Sequence, residues 1–210
     1  MRGSKGLKAR GKKKFALLVD GDDEFWYFQM LKRNNRNLSV DLKPEIPQKK
    51  SLADQYKKVR SLADDYDQVF WIVDLDVITD ETRKTKKGEK PAMDEFREYT
   101  EKLEEIDNIS VIINNPCLEF WLLLHFETTG RFYSDCESAG KQLLKHLPAY
   151  QKSQKFYTKE GNDIFLRLKP QLLTAIANAK KLKIFNFDNT QTGYSGMHSF
   201  FELDEIKGIL

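Results

Sequence analysis

Three short apolar runs organise the first half of the chain, and the first two end in acids. Residues 15–20 (FALLVD), 69–73 (VFWIV) and 109–113 (ISVII) are continuously hydrophobic rather than alternating, the pattern of buried strands. Between them the period changes. Phe25, Phe28, Met30 and Leu31 recur at helical spacing, so residues 23–32 are expected to form a helix with acids at its start. A second strand is expected over 38–46, closed by Pro47. Ser51 is a suitable N-cap for a helix running to about residue 64, with Leu52, Tyr56 and Val59 on one face. Residues 79–90 contain only polar and charged side chains plus one glycine, so a mobile loop is expected. Pro91 fits the first turn of a helix to about residue 103. Asn114-Asn115-Pro116 breaks the third apolar run, and 118–126 (LEFWLLLHF) reads as a strongly apolar helix.

Strand and helix alternate throughout, which predicts an α/β layer with a mostly parallel sheet. Sites in such sheets lie beyond the C-terminal ends of the strands. After Gly130 the texture becomes helical, over 136–146 and 163–181. Leu168, Leu172, Ala175, Ile176, Ala179 and Leu182 form an apolar stripe there. The tail from residue 185 looks irregular until a last turn near 203–210. The expected organisation is a basic arm over 1–14, an α/β core over 15–130, and a helical lobe with its tail over 131–210.

Composition narrows the class. Hydrophobic residues make up 40% of 210, enough for a core and too many for a disordered chain. No apolar stretch approaches the roughly 20 residues of a membrane helix, and no apolar segment of the signal-peptide kind follows the basic start. Two cysteines, Cys117 and Cys136, are too few for a disulfide framework or a Cys-only zinc site, so a reduced, cytoplasmic protein is expected. Cys117 reads as buried and inert. The formal net charge is +3, yet residues 1–14 alone carry seven Lys or Arg and no acid. The body is therefore net acidic, and Lys12, Lys13 and Lys14 belong to an arm suited to nucleic-acid phosphates or to simple solubility.

The candidate chemistry is acidic. Asp20-Gly21-Asp22-Asp23-Glu24 follows the first strand, and Asp74-Leu75-Asp76 ends the third. Carboxylates converging from neighbouring strand ends suit Mg²⁺ or Mn²⁺, which prefer hard oxygen ligands. If Asp74 and Asp76 lie on an extended segment, alternation turns both toward one ion. Such an ion orients a phosphodiester and acidifies a water.

The same residues carry a family resemblance. Residues 20–24 with Tyr27-Phe28, the Asp74-x-Asp76 pair, residues 115–126 (NPCLEFWLLLHF), and Tyr157-x-Lys159 followed by the 175–179 helix together resemble the RloB-like proteins. The resemblance implies a Toprim-type fold. It implies a Mg²⁺ or Mn²⁺ site in which Asp20 is a general acid/base or metal ligand and Glu24, Asp74 and Asp76 are ligands. Lys159 either stabilises phosphate charge or is a solvated loop lysine. The resemblance also implies similarity to AbiLii-type phage-defence proteins, usually paired with an ABC- or AAA-type ATPase. The expected activity is a nuclease acting on nucleic acid, with tRNA among the candidates. In the family pattern the first acid is Glu; here Asp20 is one methylene shorter, a loss of reach of roughly 1.5 Å. That departure supports an alternative, a weak or inactive regulatory module that docks the ATPase. An aspartyl phosphatase is a distant third reading, because Asp74-x-Asp76 would have to end the first strand.

Three further residues enter the candidate site. Asp22 is placed to compensate for the shorter Asp20. Glu119 follows a strand end and either faces the site or serves as a helix-dipole acid. Asn115 either binds phosphate or, the preferred reading, caps the next helix. His125 is expected to be a core histidine. Trp26, beside the acidic loop, reads as helix packing in preference to base stacking.

Overall fold

The computed structural model describes residues 11–48 and 51–210. A five-stranded sheet runs in the order β2-β1-β3-β4-β5. Its strands are β1 (Lys13–Leu18), β2 (Val40–Glu45), β3 (Gln68–Asp74), β4 (Ile109–Asn115) and β5 (Tyr194–Ser195). The first four pair in parallel and β5 joins β4 antiparallel. The predicted α/β architecture, a mostly parallel sheet flanked by helices, is what forms. Both faces are covered because successive strand residues point opposite ways. Phe15, Leu17, Phe70, Ile72 and Ile112 face one apolar cluster, whereas Ala16, Leu18, Val69, Trp71 and Ile113 face the other. This double burial explains the continuous apolar runs.

On the first face lie α1 (Asp22–Asn34), α5 (Leu118–Leu124) and α9 (Leu172–Lys180); on the second lie α2 (Leu52–Leu62), α3 (Leu75–Arg83) and α4 (Ala92–Glu104). Ser51 does cap α2, its hydroxyl accepting from the Asp54 N–H. Buried Asp163 ties the C-terminal half to α1. It accepts from Arg33 at 2.7 Å and from Asn34 at 2.9 Å, and also from the Leu166 N–H as the cap of α8 (Ile164–Leu168).

Four expectations change. Residues 79–83 are not loop: they complete α3, whose buried Leu75 and Ile78 precede the polar stretch. The helix expected over 163–181 is interrupted at Pro170 by a 3₁₀ turn, since proline cannot continue the α-helical bonding. The tail is ordered by tertiary contact. It supplies β5 and then α10 (His198–Phe201), whose Phe200 and Phe201 are fully buried. Lys13 and Lys14 belong to β1 rather than to an arm, and Lys13 pairs with Glu205. Residues 1–10 of the expected arm lie outside the described residues. No described helix is long and apolar enough to cross a membrane.

The tail is seated through one close approach. A Cβ at Gly193 would lie 2.3 Å from the Phe120 ring and 2.5 Å from the Arg131 carbonyl oxygen. Gly193→Ala is therefore expected to destabilise by about 1–3 kcal/mol, the usual cost of overpacking. Urea unfolding would measure it; an unchanged midpoint would show that the tail shifts freely.

Candidate metal centre

The chain reverses direction across the sheet at β1: β2 lies on one side and β3 on the other. The C-terminal ends of β1 and β3 flank this switch point, where parallel sheets open a crevice. Asp20 and Gly21 follow β1, Asp22, Asp23 and Glu24 form the first turn of α1, and Asp74 ends β3. These residues line one pocket of about 390 Å³ together with Trp26, Asp76, Val77, Cys136 and Lys152. The convergence expected for Asp20, Glu24, Asp74 and Asp76 is present, and Asp22 joins it.

The route by which Asp76 arrives differs from expectation. It does not alternate with Asp74 along a strand. Asp74 is the N-cap of α3 and Asp76 lies in that helix's first turn, where its carboxylate accepts from the Val77 N–H at 2.8 Å. The Cys136 backbone N–H also donates to it.

Burial dominates the electrostatics. Glu24 is 3% exposed and accepts from the Gly21 N–H at 3.1 Å. Burial, reinforced by Asp20, Asp23 and Glu119, pushes its pKa up to about 8. Burial likewise holds Asp74 well above the ordinary carboxylate range, with Glu24 and Asp20 adding repulsion. Asp23 and Asp76 are raised by burial too, less so because Lys152 opposes it at Asp23 and backbone N–H groups oppose it at Asp76. Asp74 has only long contacts, 3.5 Å to the Asn114 amide and 3.4 Å to the Leu118 N–H. Desolvated oxygens with so little hydrogen bonding fit a hard divalent ion. Such an ion keeps several waters, so the carboxylates need not close into a complete cage.

The lysine that lines the pocket is not Lys159. Lys159 is exposed and absent from the pocket lining. Lys152 lies there instead, its ammonium 2.6 Å from Glu119 and 3.4 Å from Asp23. Partial burial alone would lower the Lys152 pKa, but Glu119 and Asp23 outweigh it and raise it. Glu119 is fully buried in the first turn of α5 and also accepts from Tyr150 at 2.7 Å. Tyr150 in turn contacts Tyr157 at 3.0 Å, and Tyr157 packs against Trp26. Trp26 thus both packs in a helix interface and borders the pocket.

Asn115 does not cap α5. Its amide donates to the carbonyls of Thr190 and Thr192, both at 2.8 Å, and fastens the tail. Its neighbour Asn114 faces Asp74 and accepts from Ser195 of β5 at 2.7 Å, so the tail reaches the site. His125 is a core residue as expected: its Nδ1 lies 3.1 Å from the Trp121 carbonyl, and burial lowers its pKa to about 4. Cys117 is buried as expected but not unpaired. The structure joins it to Cys136 as a disulfide, Cα atoms 5.8 Å apart, beside Asp74. Lys12 and Lys14 stand at the opposite end of β1, about 20 Å of strand from the pocket. Sequence reasoning missed Lys152, Tyr150, Asn114 and Cys136. The one hint in the chain is the connector between the two helical stretches, residues 149–162 (AYQKSQKFYTKEGN), rich in Tyr and Lys.

The family model for RloB-like proteins matches residues 15–203. The chain belongs to the RloB-like protein family. Neither the curated proteins nor the solved structures contain a match. Within this RloB-like chain, the match spans the acidic pocket, the 115–126 block and β5 together.

A pH dependence follows from Glu24. Between the ordinary glutamate value of 4.5 and the folded value of about 8, the unfolded chain has released this proton while the metal-free folded chain retains it. Stability without metal should therefore fall as pH rises through that interval. Mg²⁺ or Mn²⁺ should counteract the loss, increasingly at higher pH, because binding competes with protons. Calorimetry in EDTA and in Mg²⁺ across the interval measures both. A melting temperature in EDTA that rose with pH would contradict the buried-proton assignment.

Proposed function

We propose that this RloB-like chain is a divalent-metal-dependent phosphodiesterase acting on nucleic acid, and that it serves as the effector of a phage-defence pair with an ABC- or AAA-type ATPase. The observation that carries this reading is the pocket at the β1/β3 switch point, where six acids face one lysine. A site of this charge repels a free phosphodiester, so it can serve one only with cations present. Asp20, Glu24, Asp74 and Asp76 are the residues that hold Mg²⁺ or Mn²⁺ in this reading. An ion held there would supply charge neutralisation for phosphoryl oxygens and a lowered pKa for an attacking water.

The chain's own residues do the remainder. Lys152 neutralises charge on the phosphoryl group, the role first considered for Lys159, and it must leave Glu119 or Asp23 to do so. The Tyr150 hydroxyl keeps Glu119 oriented as Lys152 moves. Asp20 lies two residues beyond β1 and lines the pocket, in position to orient the water. Lys12 and Lys14, far from the pocket, contact flanking phosphates instead of the scissile one. RNA such as tRNA and DNA are both candidate substrates.

The test is incubation with labelled tRNA, single-stranded RNA and duplex DNA in Mg²⁺, Mn²⁺ or EDTA, with and without the ATPase encoded beside the chain. Cleavage should require metal. Asp74→Asn should remove it. Lys152→Ala should reduce it about 10²–10³-fold, as for loss of one transition-state donor. Lys159→Ala should leave it unchanged. No cleavage of any substrate with metal and partner present would favour the regulatory module, consistent with the shorter Asp20.

A further inference from the structure

Beside the oxygen-rich pocket lies a second group of donors. One oxygen of Asp74 and the Sγ atoms of Cys117 and Cys136 all fall within 4.8 Å of one another, the one such trio among the described residues. Cys117 immediately precedes α5 and is fully buried; Cys136 opens α6 (Cys136–Leu143), is half-buried and borders the acidic pocket. An ion therefore has an entry path.

A further carboxylate touches one sulfur of the trio without belonging to it. Glu119 Oε2 lies 2.9 Å from Cys117 Sγ. The other oxygen of Glu119 already receives Lys152 and Tyr150. A disulfide sulfur carries no proton, so it offers Oε2 nothing at that distance. A thiol would satisfy the contact by donation, and a cation shared by the two atoms would satisfy it more strongly. Asp74, with only long hydrogen bonds, is under-satisfied in the same way.

Two sulfurs and one carboxylate are three ligands for a borderline-soft ion, leaving one position for water. Thiolates select zinc over magnesium, and zinc takes four ligands of this kind tetrahedrally. We propose that, with Cys117 and Cys136 reduced, Asp74, Cys117 and Cys136 bind a single zinc-type divalent cation, with water in the fourth position and Glu119 beside Cys117. Zinc draws Asp74 away from the oxygen pocket, so it and Mg²⁺ compete for the protein. The disulfide is the alternative, zinc-free state. Thiol–disulfide exchange with a small dithiol interconverts them. The dithiol closes into its own disulfide, and its two electrons and two protons pass to Cys117 and Cys136. The binding site stands independently of the nuclease reading; only the loss of cleavage that follows from competition with Mg²⁺ rests on it.

The probe is cobalt(II), which reports thiolate ligands by a charge-transfer absorption. The intact chain is reduced with a dithiol, freed of reductant under anaerobic conditions, and titrated with Co²⁺ in excess Mg²⁺. A sulfur-to-cobalt band saturating at one equivalent and bleached by stoichiometric Zn²⁺ is expected. Cys136→Ser should weaken the band, and Cys117→Ser with Cys136→Ser should abolish it while circular dichroism shows the fold retained. Re-oxidised wild type should give no band. The proposal is overturned by absence of the band in reduced wild type, by its persistence in the double variant, or by failure to find two titratable thiols after reduction. None of these readouts requires catalysis. A cobalt band in the reduced chain, together with no nucleic-acid cleavage by the cobalt-free, oxidised chain in Mg²⁺, would overturn the nuclease reading alone.

Discussion

Buried negative charge at the ends of β1 and β3 is the constraint around which this RloB-like chain is arranged. Glu24, Asp74 and Glu119 are almost wholly removed from water, and Asp20, Asp23 and Asp76 stand around them. Carboxylates so placed must keep protons or find cations. In the structure Glu24 and Asp74 tend to keep protons, and Glu119 has Lys152.

The rest of the fold supports that arrangement. The reversal of strand order at β1 brings the two acidic segments together, although 54 positions separate Asp20 from Asp74. The C-terminal half then closes the pocket. Residues around 150 bring Lys152 and Tyr150 to Glu119, and the tail fixes Asn114 through Ser195. Asp163 anchors α8 to α1, the helix that carries Asp23 and Glu24. Residues 131–210 thus supply parts of the site as well as cover for the sheet.

Cysteine chemistry adds a second character to the same location. Sulfur next to Asp74 and Glu119 introduces a preference that oxygen ligands lack. Asp74 belongs to both groups of donors, the acidic pocket and the pair of sulfurs. The Cys136 backbone also donates to Asp76, which couples the position of α6 to the acidic pocket.

The sequence by itself determined the sheet, its flanking helices and the acidic segments. These depend on local period and on strand ends: FALLVD and VFWIV are apolar because both sheet faces are covered, and acids stop each run. The 20–24, 74–76 and 115–126 segments were legible for the same reason, each being contiguous in the chain. Tertiary structure alone decided which distant residues completed the site. Nothing local distinguishes Lys152 from Lys159, because the choice depends on how the connector lies against α5. Tail residues 194–201 have too short a pattern to predict; they are ordered by burial of Met197, Phe200 and Phe201 and by pairing with β4. Asn115 is a plausible cap by type, but nearby carbonyls of the tail claim its amide. Cys117 and Cys136 meet because α5 and α6 pack side by side, a contact made in space and invisible in spacing.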